Sequence, residues 1–321
     1  MATSIGPQST GSSGPGLLCS SWAREQHLDP IGTAGCYRCY MLLEWPLPWP
    51  RDLSDDPALA PVVASVRSAG MRLQGLVPAL AGGPSHVIAY QWPDGAGARF
   101  ERTELVVDPA EVVSAALAIL EEPPSGDEIT DVLVCTHGRR DRCCGSLGTA
   151  LAHELLADPR LLGEDVRVWR TSHTGGHRFA ATAIVLPYGT AWAFCDKAAL
   201  ARVVRRNGPM DDLLPRYRGC GGMGSPAIQA LERAVLGEIG WPLFDMVRLG
   251  AELGGHRTEL VVDDPSRGRS VWEAVVRVER EVPVPDCGVP TELATKTEPQ
   301  LMVEGLRRRR LRCGGGEAPP S

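Results

Sequence analysis

Two short segments rich in metal-binding side chains most constrain how this chain can fold. The first, CTHGRRDRCCG, spans residues 135–145, and the second, SHTGGHR, spans residues 172–178. Each directly follows a strand-like apolar run, at 132–134 and at 166–169. Because cysteine and histidine are the usual ligands of soft and borderline metal ions, the fold is expected to bring both segments to a single site.

The residues between the two segments predict how they meet. A helical pattern of leucines runs from Gly145 to Ala157, and a strand follows at Val166–Arg170. With the strand before Cys135, this is a β-α-β unit, whose two strands run parallel and end at the same edge of the sheet. The cysteine pair and the histidine pair should therefore face each other across a short distance.

Ligand type and spacing narrow the chemistry of this site. Eight residues separate Cys135 from Cys144, and three separate His173 from His177. Two thiolates and two imidazoles suit either a tetrahedral zinc ion or a [2Fe–2S] cluster with the cysteines on one iron and the histidines on the other. Zinc fingers usually bring their cysteines two to four residues apart, so the wider spacing favours the bulkier cluster.

Composition indicates an ordinary soluble globular protein. The 321 residues are 43% hydrophobic and carry a net charge of −6, which favours neither a nucleic-acid partner nor a membrane partner. Residues 1–15 lack the pattern of a secretory signal, so a cytoplasmic location is expected. A chain of this size needs no disulfide framework, and cysteines clustered with histidines favour metal or redox chemistry.

The order of elements predicts an α/β fold built from tandem thioredoxin-like units, each with the order β-α-β-β-β-α, and a small C-terminal α+β extension. The predicted regions are a disordered N-terminus (1–16), a degenerate thioredoxin-like unit (17–125), a thioredoxin-like ferredoxin domain that carries the cluster (126–208), a helix with a small sheet (209–285), and an irregular Pro-rich and Arg-rich tail (286–321).

The two segments also resemble those of known proteins. The order of ligands resembles that of thioredoxin-like [2Fe–2S] ferredoxins, with histidines in place of the second cysteine pair. In this chain the order is Cys-x8-Cys, then a helix and a strand, then His-x3-His. More narrowly, CTHGRRDRCCG and SHTGGHRFA resemble the sucrase/ferredoxin-like family and its HxGGH motif. The resemblance extends from about Gly32 to Cys287 and is strongest at 131–190.

This resemblance implies the ligands of the cluster. It places them at Cys135, Cys144, His173 and His177. The family's Arg-Asp-x-x-Cys-Gly motif puts the second ligand at Cys144 and leaves Cys143 as an additional thiol of this chain. The expected function is single-electron transfer to an unknown redox partner protein, since four protein ligands leave no coordination position for a substrate. Despite the family name, no paired-carboxylate motif for glycoside hydrolysis is recognisable.

Two other functions remain open from the sequence. A zinc-stabilised interaction module would use the same four ligands. A thiol-dependent oxidoreductase would use Cys36 and Cys39, which have the spacing of a dithiol motif, or the vicinal cysteines 143 and 144. The remaining thiols have no partner at a recognisable spacing and are interpreted as buried or free: Cys195, Cys220, Cys287 and Cys313.

Overall fold

The computed structural model describes residues 18–125 and 128–310, and within them two units with the same order of elements follow a short helix, α1 (Cys19–Glu25). The first unit contains β1 (Cys39–Glu44), α2 (Ala60–Ser68), β2 (Arg72–Leu76), β3 (Ser85–Gln91), β4 (Glu101–Val107) and α3 (Val112–Ala118). The second contains β5 (Thr130–Cys135), α4 (Thr149–Leu156), β6 (Val166–Thr171), β7 (Ala183–Leu186), β8 (Thr190–Trp192) and α5 (Lys197–Arg205). The predicted disordered N-terminus lies outside the described residues.

Local sequence signals explain where the helices of both units begin. The Asp108 carboxylate accepts a hydrogen bond from the N–H of Ala110 at 2.9 Å, at the start of a 3₁₀ turn that leads into α3. The Asp196 carboxylate accepts one from the N–H of Ala199 at 2.8 Å and caps α5. Both aspartates satisfy N–H groups that the first helical turn leaves without a partner.

The strands of both units belong to one nine-stranded sheet. Its order is β4-β3-β1-β2-β6-β5-β7-β8-β9, where β9 is Tyr217–Cys220. β1 and β2 are parallel, as are β5 and β6, and the two halves of the sheet join through a single pair, Leu76 with Thr171. The fold is therefore mixed α/β with a large sheet and few helices. In the described part of the chain, no helix combines the length and the apolar character needed to cross a membrane.

A buried polar network ties the two halves together beyond that one strand pair. The carboxylate of Asp131 accepts hydrogen bonds from Arg167 Nε (2.8 Å), Trp169 Nε1 (2.6 Å) and the Tyr90 hydroxyl (2.6 Å). Arg167 also donates to Glu104 at 2.7 Å. Tyr90 and Glu104 lie on β3 and β4, whereas Asp131, Arg167 and Trp169 lie on β5 and β6, so the network bridges the two halves of the sheet. Removing Arg167 would weaken the charge compensation of a largely buried carboxylate in each half.

The C-terminal region forms a helix, α6 (Pro226–Ile239), and a four-stranded antiparallel sheet. The strands of that sheet, in spatial order, are β10 (Val247–Gly254), β11 (Arg257–Asp264), β12 (Gly268–Pro283) and β13 (Thr297–Arg310). A fully buried ion pair, Arg248 Nη1 to Glu232 Oε1 at 2.8 Å, joins β10 to α6. Glu232 also accepts a hydrogen bond from the Tyr217 hydroxyl at 2.8 Å, which connects this region to the large sheet.

The last strand differs from the sequence-based expectation. The sequence predicts an irregular tail over 286–321, but in the structure Thr297–Arg310 pairs with β12. Within the arginine run, Arg308 stacks 5.0 Å from the centre of the Trp272 ring, and Arg309 lies 3.9 Å from Glu273. A charge run is thus compatible with a strand here because the neighbouring strand supplies an aromatic ring and a carboxylate. These partners are distant in sequence.

Candidate metal centre

Close backbone packing returns the first segment to the end of β5. Cys135 is the last residue of that strand, and Cys144 opens a π-helical turn, Cys144–Gly148, that continues into α4. A Cβ atom on Gly148 would lie 1.8 Å from the Cys135 carbonyl oxygen, and one on Gly145 would lie 2.5 Å from the Cα of Gly138. Only glycine fits at these two approaches, and they place Cys144 beside Cys135.

The second segment turns tightly after β6, which runs parallel to β5 with Thr171 in register with Cys135. Gly175 and Gly176 have φ angles of +82° and +65°, values that favour glycine. The fully buried Arg218 supports this turn by donating to the Gly175 carbonyl oxygen at 3.2 Å. Burial, followed by the nearby Arg178, lowers the pKa of Arg218 to about 10, so its guanidinium stays charged at neutral pH.

Three of the four expected ligands meet in one group. Three ligand atoms lie within 4.8 Å of one another: the sulfur atoms of Cys135 and Cys144 and a ring nitrogen of His173. Both cysteines are fully buried. The hydrogen bond from Cys144 lowers the pKa of Cys135 well below its usual range, while the same contact and burial raise the pKa of Cys144. His173 Nδ1 is buried and has no hydrogen-bond partner among the described residues.

His177 lies next to this group but contacts other residues. Its Nδ1 is 3.2 Å from a carboxylate oxygen of Asp141 and 3.3 Å from the sulfur of Cys19, and its Nε2 is 3.5 Å from Asp286. The centres of the His173 and His177 rings are 6.1 Å apart. The structure therefore places Cys135, Cys144 and His173 together, and places His177 with two carboxylates and a third cysteine.

The vicinal cysteines point to different groups. Cys144 lies with Cys135, whereas the sulfur of Cys143 is 3.1 Å from that of Cys287 and 3.7 Å from that of Cys19. Asp141 adjoins the same thiols, and one ligand atom from each of the four residues lies within 4.8 Å of the others. Sequence reasoning missed this second group because Cys19 and Cys287 come from segments with no local motif; only the extra thiol at 143 gave a signal.

Asp141 is held as a carboxylate at the centre of this region. Burial raises its pKa, but hydrogen bonds from His177 and from the backbone N–H of Cys143 outweigh that effect, and the net shift is downward. The N–H of Cys143 is 2.8 Å from one carboxylate oxygen. The other contacts of the carboxylate are with His177 and with the sulfur atoms of Cys19 and Cys287.

The dithiol motif lies elsewhere. Cys36 is exposed, whereas Cys39 is buried at the start of β1, and burial raises the pKa of Cys39 to about 12. A thiol with such a high pKa is a weak nucleophile at neutral pH. This environment does not favour a thiol-dependent oxidoreductase that uses this pair.

A basic cavity of about 270 Å³ opens beside His173. Its polar walls include one aspartate and four arginines: Asp52, Arg51, Arg67, Arg72 and Arg140. Arg72 also donates a hydrogen bond to the carbonyl oxygen of His173. The cavity gives the ligand group a positively charged approach from solvent, although the chain as a whole is acidic.

Comparison with known proteins agrees with the sequence motifs. The sequence model of the sucrase/ferredoxin-like family matches residues 30–219, more than half of the chain. A protein of Meyerozyma guilliermondii named "Altered inheritance of mitochondria protein 32" is 26% identical over 129 residues, which cover 33% of this chain and 45% of that relative. The chain thus spans less than half of the relative's length. No solved structure matches this chain.

Proposed function

The chain belongs to the sucrase/ferredoxin-like family, and from this premise we propose that it is an electron carrier that binds one [2Fe–2S] cluster through Cys135, Cys144, His173 and His177. The observation that carries the proposal is the close approach of two buried thiols, Cys135 and Cys144, to the partly buried imidazole of His173. Thiolates and imidazoles are the ligands of such clusters, and here they converge within 4.8 Å.

The donor atoms suit this group in their protonation and their partners. Cys135 is favoured as a thiolate by its neighbour Cys144, and thiolate is the form that binds metal. His173 Nδ1, which is buried and without a partner among the described residues, is available as a ligand. His177 adjoins the group, and its ligation requires exchange of its contact with Asp141 or with Asp286.

The residues around the site fit electron transfer better than catalysis on a bound substrate. A bound [2Fe–2S] cluster would supply one-electron redox chemistry. Burial keeps water from the sulfur atoms of Cys135 and Cys144, and Arg218 and the two glycines hold the histidine turn in place. Four protein ligands leave no open coordination position, so we propose that this protein transfers electrons to and from a partner protein.

We further propose that both β-α-β-β-β-α units are thioredoxin-like. In each, the strand order places the parallel pair beside two antiparallel strands: β4-β3-β1-β2 in the first unit and β6-β5-β7-β8 in the second. The second unit would hold the cluster at the carboxyl edge of β5 and β6. We also propose a reducing compartment such as the cytoplasm, in which the nine described cysteines would stay reduced.

A zinc-stabilised interaction module with the same four ligands is the alternative, because a single ion also fits three ligand atoms that converge this closely. Iron, acid-labile sulfide and zinc, measured in protein purified without oxygen, separate the two functions. The electron carrier predicts about two iron and two sulfide per chain. Iron is expected to be lost in Cys135→Ser, Cys144→Ser and His173→Ala.

Two control variants keep this experiment specific. Cys220→Ser changes a buried thiol at the end of β9, and His153→Ala changes an exposed histidine on α4; both should retain iron. Wild-type protein with zinc but no iron or sulfide would contradict the proposal and favour the interaction module. Iron that persists in both Cys144→Ser and His173→Ala would contradict the proposed ligands.

A further inference from the structure

We propose that Cys19, Cys143, Cys287 and Asp141 form a second metal site that binds one tetrahedral zinc ion. This site shares no ligand with the proposed cluster, although the cluster ligand His177 contacts both Asp141 and Cys19. The second site is built from residues that the family match covers only in part, since Cys19 and Cys287 lie outside residues 30–219.

The distances between the ligand atoms fit a single ion. The three sulfur atoms are 3.1 Å (Cys143 to Cys287), 3.4 Å (Cys19 to Cys287) and 3.7 Å (Cys19 to Cys143) apart. Asp141 Oδ1 is 3.6 Å from the Cys19 sulfur and 3.4 Å from the Cys287 sulfur. In a tetrahedral zinc site with bonds of about 2.3 Å to sulfur and 2.0 Å to oxygen, two ligand sulfur atoms lie about 3.8 Å apart. A ligand sulfur and the ligand oxygen lie about 3.5 Å apart.

The surroundings also suit a metal ion. Cys19 and Cys143 are fully buried, Asp141 is 5% exposed, and the carboxylate adjoins the thiols. A buried ion of charge +2 would compensate this concentration of thiolate and carboxylate charge, which is costly to bury without a partner. Neighbouring donors would orient the ligands: the Ser20 hydroxyl is 3.1 Å from the Cys143 sulfur, and the N–H of Cys287 donates to Asp141 at 3.3 Å.

Other uses of three thiols fit these distances less well. In a [4Fe–4S] cluster each thiolate binds a different iron, which spreads the sulfur atoms well beyond the contact distances found here. A disulfide requires two sulfur atoms about 2.05 Å apart and would leave the third thiol and the carboxylate without a role. One ion that binds all four groups explains why three cysteines from distant segments meet at an aspartate.

The zinc ion would connect three parts of the chain. Cys19 opens α1, Cys143 lies in the helical turn that follows β5 and leads into α4, and Cys287 lies between β12 and β13. α1 packs against the turn His177–Phe179. The ion would therefore hold α1 and the C-terminal loop over the segments that carry the proposed cluster ligands, and would stabilise the fold by linking residues far apart in sequence.

Metal analysis of the full-length chain, purified without oxygen from zinc-supplemented cells, tests the proposal. We expect about one zinc per chain, and X-ray absorption at the zinc edge that reports three sulfur ligands at about 2.3 Å and one oxygen at about 2.0 Å. Cys19→Ser and Cys287→Ser should reduce zinc to below about a tenth of the wild-type content without removing iron. Cys220→Ser should retain zinc.

The His173→Ala variant separates this proposal from the proposed function, since it should lose iron and keep zinc. If the serine variants do not fold, the double variant Cys135→Ser with Cys144→Ser, stripped with a chelator and titrated with Co²⁺, should still show an intense thiolate-to-cobalt band from the second site. The proposal is overturned by wild-type protein without zinc, by zinc bound through histidine nitrogen, by zinc retained in both serine variants, or by a disulfide among the three cysteines under these conditions.

Discussion

At the scale of single residues, the ligand segments require glycine at positions where a Cβ atom would clash with neighbouring atoms. Gly148 lies against the Cys135 carbonyl oxygen, and Gly176 lies against Arg218, where a Cβ atom would be 2.6 Å from Nη2. The two adjacent glycines of the GGH motif predict a tight histidine turn. Nothing in the sequence showed that Gly148 faces Cys135, because that contact arises only when α4 packs back on the end of β5.

Gly148→Ala should disrupt the candidate metal centre although Gly148 is not a proposed ligand. Its Cβ would be 1.8 Å from backbone that cannot move without displacing Cys135, so we expect a loss of about 2 to 4 kcal/mol in the free energy of unfolding and a loss of most of the bound iron. Urea denaturation and iron analysis measure both. Gly224→Ala is the matched control, since its nearest atom would be 3.9 Å away. Equal stability of the two variants would contradict this account of the turn.

At the scale of secondary-structure elements, the sequence predicts the features that depend on neighbouring residues, and it does not predict strand pairings between residues far apart in the chain. The order of strands and helices, the caps at Asp108 and Asp196, and the parallel pair that carries the ligand segments follow from patterns within about 15 residues of sequence. Two other features follow from pairings between residues much further apart in the chain. One is the joining of both units into a single sheet through Leu76 and Thr171, and the other is the strand Thr297–Arg310. No local pattern encodes them.

The same reason explains which part of the site could be predicted. Cys135, Cys144 and His173 lie on elements of one β-α-β unit, so their approach follows from the parallel strands. Cys19 and Cys287 reach Cys143 only because α1 and the loop before β13 fold back over that unit. Their meeting is a product of the tertiary fold.

The network that joins the two halves of the sheet should depend on pH. Burial raises the pKa of Glu104, but His86, Arg167 and Arg102 outweigh this and lower it to about 2. Because the folded-state pKa lies below the unfolded value of about 4.3, the stabilisation is fully present above about pH 4.3 and is lost as the pH falls towards 2. Glu104→Gln should therefore cost about 1 to 2 kcal/mol at pH 7, after allowance for solvent screening, and less at pH 3.

Urea denaturation of wild type and Glu104→Gln at both pH values measures this difference. Glu101→Gln, at an exposed position on the same strand, is the control and should cost less than about 0.5 kcal/mol at either pH. A penalty for Glu104→Gln that is as large at pH 3 as at pH 7 would show that the carboxylate charge does not stabilise the network.

At the scale of the whole molecule, local charge at the site opposes the net charge of the chain. The protein carries −6 overall, yet four arginines and one aspartate line the cavity beside His173. If electrons leave through this cavity, the partner should present acidic groups to it. Anions should then reach the site faster than cations, in spite of the overall negative charge.

Small redox reagents test this directly. The reduced protein should be oxidised faster by hexacyanoferrate(III) than by a cationic cobalt complex of matched driving force, and the difference should shrink at high salt as charges are screened. Arg67→Gln with Arg140→Gln should slow only the reaction with the anion, by about threefold or more at low salt. Arg257→Gln, far along the chain on β11 and exposed, is the control. A faster reaction with the cation would exclude this route.

The central claim is the [2Fe–2S] cluster, and potentiometric EPR of anaerobically purified wild-type protein tests it most directly. We expect a red-brown protein that gives, on reduction, a signal of about one spin per chain. Its midpoint potential should lie above the roughly −400 mV of plant-type ferredoxins, since two neutral imidazoles replace two thiolates. Colourless protein that remains EPR-silent on reduction and contains zinc without iron or sulfide would contradict the claim.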